Sequence, residues 1–133
     1  YSFVRHQINE IAQEYNLMGL GYDPWNATQL AQELQGDGLP ICEWRFGIKT
    51  MSEPSKEFEA RIAERRIRHD GNPVLRWMVD CASLRSDASG GVIPVKPDRL
   101  KSEKRIDGVV AAIIATAQAA QHNELPEPVL YFA

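Results

Sequence analysis

Cysteine is scarce in this chain: Cys42 and Cys81 are the only two in 133 residues. They lack the paired spacing of a zinc site and the density of a disulfide scaffold, so reduced, cytosolic thiols with structural roles are the expectation. Long apolar runs are missing too. The longest lies in the Ala-rich last helix and is too short to cross a bilayer, and no secretory leader is visible. Neither sign of charge dominates, since 15 Lys and Arg stand against 18 Asp and Glu, for a net charge of −3. That leaves no global basic field for nucleic acid and keeps only local clusters open. There is no Gly-x-x-x-x-Gly-Lys-Ser/Thr phosphate loop, so ATP is not expected to bind in that manner. No Ser/His/Asp or Cys/His nucleophile arrangement, internal repeat or low-complexity segment stands out. What remains has the length of one compact domain with a real core. The chain opens on Tyr1 rather than methionine, as expected of a piece of something longer.

Helical and extended periodicities alternate along the first half. Val4, Ile8, Ile11 and Tyr15 recur at helical spacing and predict an amphipathic helix over 3–16. An apolar strand over 17–23 follows and carries Asp23. A helix over 27–36 buries Leu30, Ala31 and Leu34, and Gly36-Asp37-Gly38 ends it. A strand is expected over 41–46. A third helix over about 53–68, opened by Ser52, turns Phe58 and Ile62 inward. A loop over 69–73, a short helix over 74–79 and a hairpin of 80–86 with 91–96 around Asp87-Ala88-Ser89-Gly90-Gly91 come next. The last helix, about 104–121, has Ile106, Val109, Val110, Ile113 and Ala117 inward. Residues 1–121 thus form one domain, and 122–133, with Pro126 and Pro128, a loose C-terminal tail. The pattern is α/β with a mixed sheet flanked by helices.

Two carboxylates draw the chemistry. In Gly21-Tyr22-Asp23-Pro24-Trp25-Asn26-Ala27, the proline blocks a smooth run from strand into helix, and Asn26 is positioned to cap a helix near Ala27. Asp23 is thereby held at the C-terminal end of a strand, where open α/β sheets carry their chemistry. Asp107 opens an almost uncharged apolar helix. Lys104, Arg105, the helix dipole or a divalent cation would each offset its charge. Singly, Asp23 reads as well as an Asx-turn acid and Asp107 as a helix-start acid. Together they fit a two-metal nuclease arrangement, in which carboxylates hold Mg²⁺ or Mn²⁺ around a scissile phosphate. Hard cations prefer such oxygens to Cys or His pairs.

Two basic clusters accompany them. Arg61, Arg65, Arg66, Arg68, His69 and Arg76 form the first; Glu57, Glu59 and Glu64 interleave with it, which favours a solvated helix face. Lys96, Arg99, Lys101, Lys104 and Arg105 form the second, which fits a solvated face and a DNA-backbone contact equally and leads directly into Asp107. His69 reads as a loop hydrogen-bonder. Trp25, Trp44 and Trp77 read as core anchors rather than base-stacking platforms.

Four ordered segments carry a resemblance: Tyr22-Asp23-Pro24-Trp25-Asn26-Ala27; Arg68-His69-Asp70-Gly71-Asn72-Pro73-Val74-Leu75-Arg76-Trp77-Met78; Pro94-Val95-Lys96; and Arg105-Ile106-Asp107-Gly108-Val109-Val110-Ala111-Ala112. Over about residues 1–121 the chain resembles the C-terminal nuclease domain of the large terminase subunit of tailed bacteriophages. The resemblance implies an RNase H-like fold and a metal-dependent endonuclease that cuts concatemeric viral DNA. It also implies an ATPase elsewhere in the parent subunit, which drives DNA into the procapsid. Double-stranded viral DNA, the portal protein and the small terminase subunit are the implied partners, with no membrane. The implied location is the host cytoplasm, transiently at the procapsid portal. Carried over by position, Asp23 is the second metal-binding acid and Asp107 the last, with Lys96 in the matching Pro-x-Lys region. The family's first catalytic aspartate lies on a strand before the helix that opens this chain. The resemblance therefore implies a sheet lacking its first core strands, an incomplete Mg²⁺ or Mn²⁺ site and weak or no cutting by this piece alone. Similar sequences often carry an asparagine after the Trp-Met segment, near where Cys81 stands. Another RNase H-like nuclease of the resolvase type, or a non-catalytic module that docks DNA or the portal, are the alternative readings.

Overall fold

The computed structural model describes residues 1–97 and 103–121. Helix α1 (Ser2–Glu14) leads to strand β1 (Leu20–Tyr22), helix α2 (Thr28–Gly36) and strand β2 (Ile41–Glu43). Helices α3 (Ile48–Ala63) and α4 (Pro73–Asp80) follow, then the hairpin β3 (Ser83–Ser86) and β4 (Val92–Val95), and finally helix α5 (Asp107–Gln121). The expected tail over 122–133 lies outside the described residues.

The order of elements matches the sequence pattern, but the expected mixed sheet is two separate ladders among the described residues. β1 and β2 pair in parallel, with Leu20 opposite Ile41 and Tyr22 opposite Glu43. β3 and β4 pair antiparallel, from Ser83 opposite Val95 to Ser86 opposite Val92. Packing on helices joins the ladders. α5 lies against α3, α4 and β1, and α3 lies against β4. Met51, Ile93, Val109, Ile113 and Ile114 form the buried centre, with Trp44, Ile48, Phe58 and Met78 packed around it.

Several elements shift for identifiable reasons. α3 starts at Ile48, ahead of Ser52, and keeps Pro54 inside it. A proline there removes one ladder hydrogen bond. The early start puts Met51, fully buried, at the centre of the core, and Ser52 becomes a tie to the hairpin, its Oγ accepting from Val92 N–H at 3.1 Å. The far end stops at Ala63, so Ile62, expected inward, is 54% exposed. Asn26 does not cap α2. It adopts φ 60°, a left-handed turn that Asn tolerates, and Ala27 stands at the N-cap position without a side-chain bond. The hairpin turn is the one its residues dictate: Asp87 Oδ1 accepts from Ser89 N–H and Gly91 N–H, and Gly90 takes φ 77°.

α1 forms where expected, yet it contains no buried residue. It is held to α2 by charge instead. The Arg5 guanidinium meets Asp37 through both Nε and Nη2, and Asn9 Nδ2 donates to the same carboxylate at 2.8 Å. Val4, Ile11 and Tyr15, three of the four residues that predict the helix, remain exposed. Their stripe lies away from the Arg5–Asn9 side that touches α2, a consequence of 100° per residue on the helical wheel.

β1 can reach α5 only because Gly21 has no side chain. A Cβ there would lie 2.4 Å from Ile114 Cγ2 and 3.1 Å from Trp44 Cδ1. We expect Gly21→Ala to destabilise the domain by about 1–3 kcal/mol, the usual range for overpacking a filled core, read from the urea midpoint at unchanged m-value. A second expectation concerns pH. The bonds from Arg5 and Asn9 hold the Asp37 carboxyl down to about 2, from an ordinary 3.8. A lowered folded pKa stabilises above the unfolded value and is lost as pH falls through the folded one. α1 should therefore stay docked above about pH 4 and loosen toward pH 2, seen as amide exchange across Ser2–Glu14 that is faster relative to the intrinsic rate at each pH. Asp37→Asn should give that faster exchange already at neutral pH.

Candidate functional site

Asp23 follows the last residue of β1, and Pro24 ends the strand direction. Its half-buried carboxylate is clamped on both sides. Oδ1 accepts from Trp25 N–H at 2.9 Å, an Asx turn. Oδ2 accepts from Phe46 N–H at 3.2 Å, in the segment after β2. Because β1 and β2 run parallel, their C-terminal ends lie together, and Trp44 N–H extends the ladder by donating to Tyr22 O at 2.7 Å. One aspartate thus joins the two loops at the sheet's C-terminal edge. An ionised carboxylate offers about four lone-pair positions, so these two bonds leave each oxygen free to take a further ligand.

Asp107 is the first residue of α5, exposed, with the helix dipole beneath it. Ile106, just before it, is buried and anchors the entry. Gly108, just after it, lets α4 approach: a Cβ there would stand 2.8 Å from Met78 Sδ and 3.1 Å from Leu75 Cδ1. Its N–H points at Met78 Sδ, 3.2 Å away. Asp23 and Asp107 therefore lie on elements that both pack directly on, or belong to, one helix. Among the described residues no group of three or more His, Cys, Asp or Glu side chains is arranged to hold a metal ion. The two acids are hard oxygen donors of the type a divalent cation takes, and they amount to part of a ligand set.

Of the expected phosphate-contacting residues, Lys96 follows β4 and is half-buried. Lys104 and Arg105 are exposed in the approach to α5, and Arg105 Nη1 donates to Lys104 O at 3.1 Å. Arg99 and Lys101 lie outside the described residues. The first basic cluster is in part internally neutralised: Arg61 pairs with Glu57 at 2.7 Å and Arg66 with Glu64 at 2.5 Å. His69 is the loop hydrogen-bonder expected, its Nδ1 accepting from Gly71 N–H at 3.0 Å. Asn72 is the loop residue expected and also the N-cap of α4, accepting from Val74 and Leu75 N–H, while Pro73, read as loop, opens the helix.

The tryptophans are corrected. Trp44 packs against the core cluster as expected. Trp25 is 83% exposed and Trp77 44% exposed. Trp25 follows Pro24 in a turn closed by Ala27 N–H on Pro24 O. Trp77 lies on α4 away from Leu75 and Met78, the two residues that touch α5. Phe46 is the partner that sequence reading passes over, because a backbone N–H contact leaves no signature in residue type.

The geometry defines a helix-packed α/β domain with an acid fixed at the end of a parallel strand pair, and comparison makes the class definite. Residues 2–123 match the family model for the endonuclease domain of the terminase large subunit, and the chain belongs to that family. Protein YmfN of Escherichia coli strain K12 is 36% identical over 107 residues, covering 77% of this chain and 22% of that protein. The terminase large subunit of Enterobacteria phage HK97 is 32% identical over 121 residues, covering 90% of this chain and 23% of its own. The crystal structure of the HK97 large terminase superposes with a TM-score of 0.75 at 31% identity, over 90% of this chain and 24% of that one. The chain spans less than a quarter of the length of these relatives.

The Asp23 clamp has a measurable structural share. Asn at this position supplies one acceptor oxygen in place of two, so one of the two N–H donors loses its partner. Asp23→Asn should lower stability by roughly 1 kcal/mol, the scale of one hydrogen bond, in chemical denaturation at neutral pH.

Proposed function

We propose that this chain is the metal-dependent endonuclease domain of a viral DNA-packaging subunit, hydrolysing phosphodiesters of concatemeric double-stranded DNA. The reading assigns it the RNase H-like class, in which Asp23 and Asp107 are two acids of a Mg²⁺ or Mn²⁺ site. The observation that carries it is the fixing of Asp23 at the C-terminal edge of β1 and β2, on a strand that packs against the helix opened by Asp107, within a family of terminase endonuclease domains.

Each residue then has a task. Trp25 and Phe46 N–H hold the Asp23 carboxylate in one orientation, so little freedom is lost when it takes a ligand. Asp107 stands at the N-terminus of α5, the end of a helix where negative charge is favoured. Lys96, Lys104 and Arg105, with Arg99 and Lys101 beside them in sequence, hold the phosphate backbone. Bound divalent cations supply Lewis-acid stabilisation of charge developing on the phosphate oxygens. Such a reaction needs a fuller ligand set than two acids, so the 133-residue chain alone should cut weakly or not at all. In the full-length subunit the domain would act with an ATPase, the portal and the small terminase subunit, in the host cytoplasm at the procapsid.

The test is plasmid cleavage with Mn²⁺. In the full-length subunit, Asp23→Ala and Asp107→Ala should each abolish cutting, chelation by EDTA should do the same, and ATP hydrolysis should persist. Cutting retained in either variant would sink the site assignment. Robust nicking by the 133-residue chain, lost in Asp107→Ala, would refute the incomplete ligand set. DNA binding without cutting under every condition would favour a docking module.

A further inference from the structure

Trp25 is the most exposed large apolar side chain among the described residues, at 83%. The turn that carries it is not loose. Its N–H is bonded to Asp23 Oδ1, Ala27 N–H and Thr28 Oγ1 both donate to Pro24 O, and the Tyr1 hydroxyl donates to Asn26 O. Pro24 fixes its own φ. A rigid turn that presents an indole to water forgoes the burial that normally holds tryptophan in a fold. The other side of the same carboxylate repeats the pattern: Phe46, whose N–H donates to Asp23 Oδ2, is 38% exposed. Between Trp44 and Phe46 stands Arg45, its side chain 78% exposed and paired with Glu43. The Asp23 carboxylate is thus bonded on both sides to backbone N–H groups of residues that carry exposed aromatic side chains. Exposed aromatic side chains are one component of the platforms on which unpaired nucleobases stack.

We propose that Trp25, with Phe46, stacks on an unpaired base next to the phosphate held at Asp23, so that the site prefers DNA that is locally melted or single-stranded. This rests on the reading of Asp23 as part of a DNA-cutting site. An indole can lie flat only on a base whose face is open, and in a fully paired duplex both faces are covered by neighbours. Trp25 is a positioning residue here: it places the strand, and the acids remain the reacting site's own groups.

The experiment uses the full-length protein with two probes. One is a single-stranded oligonucleotide carrying 5-iodouracil, which photocrosslinks to a stacked aromatic ring. The other is a pair of cleavage substrates, one fully paired and one with a short mismatch bubble. The expected results are a crosslink mapped to Trp25, and faster cutting of the bubble. Trp25→Ala should lose that crosslink and raise KM for the bubble about tenfold or more, more than it lowers kcat, so that the bubble preference collapses. Trp25→Phe should restore both. A crosslink that ignores Trp25, an equal loss on both substrates, or Trp25→Phe behaving as Trp25→Ala would each overturn the proposal. So would a Trp25 covered by another protein segment, which gives no crosslink to any oligonucleotide. Asp107→Asn separates the two readings. It should abolish cutting and keep the crosslink. If it cuts normally while the crosslink still requires Trp25, the site assignment has failed and the platform stands.

Discussion

The approach of β1 to α5 at Gly21 is the constraint on which the rest of the site depends. With Ile114 Cγ2 2.4 Å from where a Cβ would be, and Gln118 Cδ 3.5 Å away, strand and helix touch backbone to side chain. The tolerance is small because interiors are close-packed and do not deform smoothly. Two residues beyond Gly21 the strand delivers Asp23, so any displacement at the contact passes to the carboxylate almost undiminished. The same helix carries Asp107 at its first turn, and Gly108 sets the distance to α4 in the same way that Gly21 sets the distance to β1. Two missing side chains therefore fix the two acids to one helix. α5 suits this role: it is Ala-rich, with a Val109, Ile113 and Ile114 face buried, and small residues allow close approach without a large loss of helix propensity.

Given that frame, the orientation of the Asp23 carboxylate follows from how it is held. An exposed aspartate samples its rotamers and loses that freedom when it meets a ligand. Here the Trp25 and Phe46 N–H groups have already restricted it, one to each oxygen. The clamp also explains why the acid belongs at a strand end rather than mid-strand. Within the ladder both N–H groups would be committed to strand pairing, whereas just past its end they are free to aim at a side chain. The same bonds tie the β1 and β2 loops together, so the residue that would meet a cation also keeps Trp25 and Phe46 at the rim of the site.

Much of this was legible in the sequence, and the failures have physical causes. Periodicity found the helices and their order because amphipathic spacing survives any tertiary arrangement. Boundaries moved where a buried side chain outweighed a local signal: Met51 drew α3 ahead of Ser52 in spite of Pro54. Inward faces were read correctly for Leu34 and Ile113, while most of the α1 stripe proved exposed, because spacing reports that a stripe exists and leaves open what covers it. α1 is held by Arg5, Asn9 and Asp37, residues 28 and 32 positions apart along the chain, and no local pattern encodes such a pairing. Sheet organisation was the least visible. The periodicity of a three-residue strand such as β1 or β2 carries little information about which neighbour it joins, and the single mixed sheet dissolved into two ladders. Asp23 was legible because proline and strand end coincide there. Its second partner, Phe46 N–H, was not, since backbone donors are common to all residues but proline.

Charge adds a last constraint on how DNA would reach such a site. The chain is acidic overall, at −3, so its far field repels a phosphate backbone. At physiological ionic strength that repulsion is screened beyond about 8 Å, and approach is decided by what stands within that radius. Arg61 and Arg66 offer little there, because Glu57 and Glu64 already neutralise them. The segment from Lys96 to Arg105 joins β4 to α5 and leads into Asp107, so its cations stand next to that acid in sequence. If DNA is bound at Asp107, a cation placed there favours phosphate close to the carboxylate. On the proposed function, an acidic domain with a local basic approach selects for contact at the site, and binding to the rest of the surface falls away first as salt rises.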